Sequence, residues 1–222
     1  MSYTRYDYRK KGKKTIAVYL AVIIFSVFIG SGIFKLLLLN KNWVIKNNET
    51  GNNISSNIKE NRSFGIIQCG LFSSEENARK ALDNIPEGFQ KVLVKNQDKY
   101  KVIAGIYSQE SINEKTSLLS NQQIENFKVN CILNNKDSNE KVIAGIVEAY
   151  LKIIDTVNEK DVEGYNTAKF KEWVSNVSSN CKQEENLNKL IKNINSLPEE
   201  YKKENISSSI NFLYDFLENY KK

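Results

Sequence analysis

Apolar and polar positions divide the 222-residue chain into three regimes. Residues 15–39 are almost continuously apolar, residues 64–133 carry short alternating runs broken by turn residues, and residues 138–222 repeat apolar positions every three to four residues. The first pattern predicts a membrane helix, the second an α+β sheet domain, and the third a helical bundle.

In the middle region Phe64 to Cys69 reads as a strand ending at Gly70. Ser73 stands three residues before Glu76, the spacing of a capping box, and Ala78, Ala81, Leu82 and Ile85 recur at helical spacing as far as Pro86-Glu87-Gly88. Phe89 to Lys95 is a second strand, Asn96-Gln97-Asp98 a turn, and Tyr100 to Ala104 a third strand. A helix from about Ser108 to Ser120 and a strand from Lys128 to Leu133 complete the order βαββαβ. Gln68-Cys69-Gly70-Leu71-Phe72-Ser73 returns as Ile103-Ala104-Gly105-Ile106-Tyr107-Ser108, so the domain is built from two similar halves. Such a chain closes into a ferredoxin-like sheet of order 4-1-3-2, with both helices on one face.

Strand parity directs Ile67, Cys69, Tyr100, Val102, Ala104, Val129, Cys131 and Leu133 toward the helices. Ile66, Gln68, Lys101, Ile103, Asn130 and Ile132 then occupy the other face, which is either an open binding surface or a seat for the C-terminal helices.

Beyond residue 138, Ile143, Ile146, Val147, Tyr150, Leu151, Ile154 and Val157 keep a helical period over four turns. Lys141 to Ile146 repeats Lys101 to Ile106 letter for letter, yet its flanks make the second copy helical. Val162 to Val177 and Leu187 to Leu197 form two further amphipathic segments. Ser196 with Glu199, and Pro198 in the first turn, predict a fourth helix running on through Ile206, Ile210, Leu213, Leu217 and Tyr220. Four such helices make a small bundle over 138–222.

Thr15 to Phe34 supplies the roughly 20 uncharged residues that span a bilayer. Arg5, Arg9, Lys10, Lys11, Lys13 and Lys14 precede it, so residues 1–14 are expected as a cytoplasmic basic tail, with everything after the span outside the cell membrane. A cleaved signal peptide is the alternative, although the apolar run exceeds the usual ~7–15 residues and no A-x-A site follows. Residues 40–63, rich in Asn, Ser and Lys, read as a flexible linker.

The net charge of +6 changes meaning once it is divided by region. Residues 64–133 hold eight basic and eight acidic side chains and residues 134–222 hold thirteen and fifteen, so the excess lies upstream of the sheet region. That distribution argues against nucleic acid as a partner. The chain has no histidine, which excludes His-based acid–base chemistry, a Ser-His-Asp triad and His-ligated zinc. With no catalytic or metal spacing of carboxylates, no enzyme, cofactor or metal site is expected.

Ile67-Gln68-Cys69-Gly70-Leu71-Phe72-Ser73, with Ala78 in the next helix and Tyr100-Lys101-Val102-Ile103-Ala104-Gly105-Ile106-Tyr107 in the second half, resembles the SPOR (sporulation-related) domain. The halves of that family read approximately V-Q-x-G-S-F and Y-R-V-x-x-G-x-F. The resemblance covers 64–133 and implies binding to peptidoglycan glycan strands stripped of stem peptides, with localisation to septa in cell division or sporulation. Gln68 matches the family's strand-1 Gln, and Lys101 stands where strand 3 often has Arg. Ile66, Ile103 and Ile132 would offer apolar contact to sugar rings. Leu71 and Lys99 occupy positions where the family prefers a small polar residue and an aromatic.

Cys69 and Cys131 lie on strands predicted to be neighbours, and some members of the family are similar in carrying cysteines in both. The pair is either a disulfide or two reduced core thiols; Cys181 is left over as an isolated helical thiol. The expected function is non-enzymatic glycan binding, with the bundle contacting another envelope protein. Its first rival is an envelope interaction scaffold with a SPOR-like fold that has lost glycan binding. An RNA-binding βαββαβ domain lacks its aromatics here, and a wall hydrolase lacks a visible catalytic module.

Overall fold

A computed structural model describes residues 61–134, 138–182 and 184–221. The expected basic tail, the membrane span and residues 40–60 of the linker lie outside the described residues. Among those described, no helix is long and apolar enough to cross a membrane. The chain is mixed α and β. It runs β1 (Asn61–Phe72), α1 (Glu75–Asp83), β2 (Val92–Asn96), β3 (Lys99–Ser108), α2 (Ile112–Asn121), β4 (Phe127–Asn134), α3 (Ser138–Asn158), β5 (Tyr165–Asn166), α4 (Ala168–Ser178), α5 (Glu185–Asn195), β6 (Glu200–Tyr201) and α6 (Ile206–Leu217). A 3-10 turn follows at Glu218–Tyr220.

Four antiparallel strands form one sheet in the order β2-β3-β1-β4, the expected order read from the other edge. β1 starts at Asn61, so the last residues assigned to the linker are strand. Two register shifts interrupt its pairing with β3: Ala104 is extra on one side and Cys69 on the other. Two offsetting bulges keep the ends of both strands in register while adding local twist.

α1 and α2 cover one face. Ile67, Val102, Ala104 and Tyr107 meet Ala78, Ile85, Ile112 and Leu119 in a continuous core. Gly65 permits this closeness, because a Cβ there would stand 1.7 Å from Ile112 Cδ1. Two helix starts differ from expectation. α1 begins at Glu75 behind Ser74, which makes no side-chain cap, and Glu76 pairs with Lys80 at 2.7 Å instead of closing a capping box. α2 begins at Ile112, after a turn in which the Ser108 and Ser111 hydroxyls lie 3.2 Å apart.

The second face is covered as well. α3 and α6 lie against it, and Phe64, Ile66, Ile103, Ile106 and Cys131 are buried at 2% exposure or less. Burying a side chain of this size contributes about 1.5–3 kcal/mol. Twelve of the 21 residues of α3 are buried, more than one apolar stripe supplies, because α3 packs on the sheet and also on α4, α5 and α6. Arg62 of β1 ties the helix down through Glu148 at 2.6 Å. Gln90 does the same beside β3: its side-chain carbonyl accepts the Ile106 N–H at 3.1 Å while its amide donates to Asp155 of α3 at 2.6 Å.

The fourth helix of the bundle starts later than its sequence signals imply. Thr167 accounts for the delay: its hydroxyl donates to the Pro198 carbonyl at 2.8 Å and its N–H to the Glu199 carbonyl at 2.9 Å. Glu200–Tyr201 then pairs with Tyr165–Asn166, and Ser196 becomes the C-cap of α5 instead of an N-cap. Tyr201 and Tyr150 both donate to the buried Ser209 hydroxyl, at 2.7 and 2.8 Å, which joins this short ladder to α3 and α6.

Candidate functional site

β1 and β3 bring Ile66, Gln68, Leu71, Lys101 and Ile103 to one side of the sheet, as strand partners Gln68 with Ile103 and Leu71 with Lys101. That side is not open. Ile66 and Ile103 are fully buried and Gln68 is 8% exposed, with its amide donating to the Gly70 carbonyl at 3.3 Å. The expectation of an exposed mixed surface is therefore corrected, because the aliphatic residues of this face match the apolar faces of α3 and α6 and are covered by them.

Lys101 is engaged within the chain. Its ammonium donates to the Tyr214 hydroxyl at 2.7 Å, lies 5.4 Å from the centre of that ring and stands 3.6 Å from the Glu218 carboxylate. Lys221 also binds Glu218, and its ammonium donates to Tyr214 at 3.3 Å. Burial pushes the Glu218 pKa up, but hydrogen bonds from Lys221 and Tyr214 and the charges of both lysines outweigh it and hold the group below its ordinary value. Burial, reinforced by the Glu218 carboxylate, raises the Tyr214 phenol, which stays protonated.

Strand 4 has the opposite parity to that expected. Cys131 partners Phe64 and Val129 partners Ile66, so they face α3 and α6, while Ile132 partners Ser63 on the side of α1 and α2. Ile132 thus does not join Ile66 and Ile103. Leu71, 49% exposed, and Lys99, at the exposed hairpin end opposite Asn96, are the expected contact residues that remain accessible.

All three cysteines are free. Cys69 sits in the β1 bulge and packs against the α1 and α2 core. Cys131 lies across from Phe64, five residues away along β1 and on the other face, so about 17 Å of strand separates the two positions. A disulfide between them is excluded by this register. Burial pushes both thiols up to about 11 and raises Cys181 as well, so none is a ready thiolate.

Two surface grooves lie among the described residues. One, of about 410 Å³, runs along the outer edge of β2 between α1 and the start of α6. Arg79, Lys91, Leu93, Lys95 and Tyr100 line it, together with Ser207 of α6. The other, of about 560 Å³, lies where β1 runs past the start of β4, beside Gly70, Ile124 and the half-exposed Phe127. Sequence reading missed the first because its cations come from α1, from the loop after it and from β2. The expected order 4-1-3-2 already put the second strand at a sheet edge, but no local pattern joined these cations to it.

No family model matches this chain, nor does any curated protein or solved structure.

Proposed function

We propose that this chain is a non-enzymatic envelope interaction module: a SPOR-like sheet domain that has lost glycan binding and works by contacting other proteins. The strand order and the two similar halves support the likeness to that family. What carries the loss of glycan binding is the occupation of the sheet face. Ile66 and Ile103 are fully buried, and Lys101 is spent on Tyr214 and Glu218. A sugar strand reaching Gln68 and Lys101 would have to displace two packed helices, and a weak polysaccharide contact does not offset that cost. On this reading residues 1–39 anchor the module, as the basic tail and apolar run imply.

Co-sedimentation with purified sacculi, before and after amidase treatment, tests the proposal. A fragment spanning residues 61–222 should stay in the supernatant in both cases. Binding that rises after amidase and falls on Leu71→Ala plus Lys99→Ala, the contact positions that stay accessible, would overturn it and restore the glycan reading.

A further inference from the structure

β2 is an edge strand of only five residues, and its backbone pairs with β3 alone. Among the described residues no other main-chain group bonds to Val92–Asn96. The opposite edge is treated differently, since Lys221 forms an antiparallel bridge to Cys131 of β4. Among the described residues, Lys221 thus covers part of one sheet edge, and the other edge lies in a groove.

That groove is cationic. Arg79, Lys91 and Lys95 face it against one acid, Glu75, whose carboxylate is held by the Arg79 guanidinium at 2.6 and 2.9 Å. Lys95 stands 5.9 Å over the Tyr100 ring, and Lys91 donates one of its protons to the Ile85 carbonyl at 2.7 Å, keeping two for a further acceptor. Half-buried Leu93 and Tyr100 add apolar surface between the charges. Edge lysines repel a second copy of the same strand, which would bring like charges together. The same lysines favour a strand of opposite sign.

We propose that the β2 edge is a strand-addition site for an extended acidic peptide segment of a partner protein, bound as a fifth strand between α1 and the start of α6. Main-chain hydrogen bonds to β2 supply affinity, and carboxylates meeting Arg79, Lys91 and Lys95 supply selectivity. This rests on the interaction-module reading and names its partner chemistry.

The test uses the full chain and fluorescent hexapeptides read by anisotropy. An alternating Val-Glu peptide should saturate below about 1 mM, the range of a weak single-segment contact. Its Val-Lys counterpart should not bind. Methylating alternate backbone nitrogens along the pairing edge should weaken binding at least about tenfold, because those donors are lost while the charge is kept. Lys91→Glu with Lys95→Glu should abolish Val-Glu binding and confer Val-Lys binding, a gain that an unfolded variant does not show. Absence of saturation by Val-Glu overturns the proposal. So does equal binding of the methylated peptide, or of polyphosphate at matched charge, since either makes the groove a simple polyanion site. A chain that refuses the peptide yet stays off sacculi overturns only the strand-addition site; retention on sacculi overturns the module reading itself.

Discussion

The Lys101 ammonium donates to the Tyr214 hydroxyl at 2.7 Å, joining the first residues of β3 to α6 across 113 residues of sequence. Tyr214 is 2% exposed and Glu218 lies 3.6 Å from the same ammonium, so the contact is a partly desolvated charge cluster and not a surface pair. Removing one member leaves the others short of a partner.

Tyr214→Phe should therefore cost about 1–2 kcal/mol of unfolding free energy, with Lys101→Met costing a similar amount and the double variant less than the sum. Urea denaturation of the four proteins measures the coupling. Strict additivity would mean that the two groups do not interact in solution.

Glu218 and Asp155 should give opposite pH dependences. The folded pKa of Glu218 is depressed, so its contribution is present above the unfolded value of 4.5 and is lost as pH falls through the folded value. Glu218→Gln should flatten the acid limb of the stability curve. The folded pKa of Asp155 is raised, mainly by burial, with Gln90 and Lys115 opposing, so its relative contribution is present below 3.8 and is lost as pH rises through the folded value. Asp155→Asn keeps an acceptor for the Gln90 amide, and its stability relative to the parent should rise across that window. Denaturation midpoints between pH 3 and pH 7 decide both signs.

Ile103→Ala should destabilise by about 2–5 kcal/mol, the range for truncating a fully buried aliphatic side chain. Were β3 presenting this residue to solvent, the change would be close to neutral. Thermal unfolding separates the two outcomes.

Thiol counting checks the register of β1 against β4. Unfolding without reductant should release three titratable thiols, and in the native protein Cys131, at 0% exposure, should react far more slowly than half-buried Cys69. Recovery of one thiol only would place a bridge where the register forbids it.

Gly105→Ala should cost more than the about 1 kcal/mol typical of replacing an ordinary residue. Gly105 has φ +145° at the β3 bulge, and a Cβ there would meet the Tyr107 hydroxyl at 2.6 Å. Chemical denaturation provides the measurement.

Local signals carried the sheet order and the helical segments of the chain. Alternation around Val102 and Ile67, the Gly turns and the period-3.6 residues of α3 are properties of short windows, and they place β1, β3 and α3 with boundaries displaced by a few residues. Boundaries moved where a distant group competed. Thr167, about thirty residues upstream, holds the Pro198 and Glu199 carbonyls and postpones α6, which no window around Ser196 reveals.

The hexapeptide Lys-Val-Ile-Ala-Gly-Ile marks the division between what each level decides. At 101–106 it lies in β3, with its glycine at positive φ, and at 141–146 it is helix in α3. Its flanks, read from sequence, were enough to assign each copy, since an alternating neighbourhood continues a strand and a four-turn period continues a helix. Sequence also settled the lack of histidine and the unequal spread of charge. Tertiary structure alone decided that both sheet faces are covered, where strand 4 sits in register and which cations share a groove. Each of those depends on pairing between segments far apart in the chain, and a single-residue shift in a strand reverses every side chain it carries.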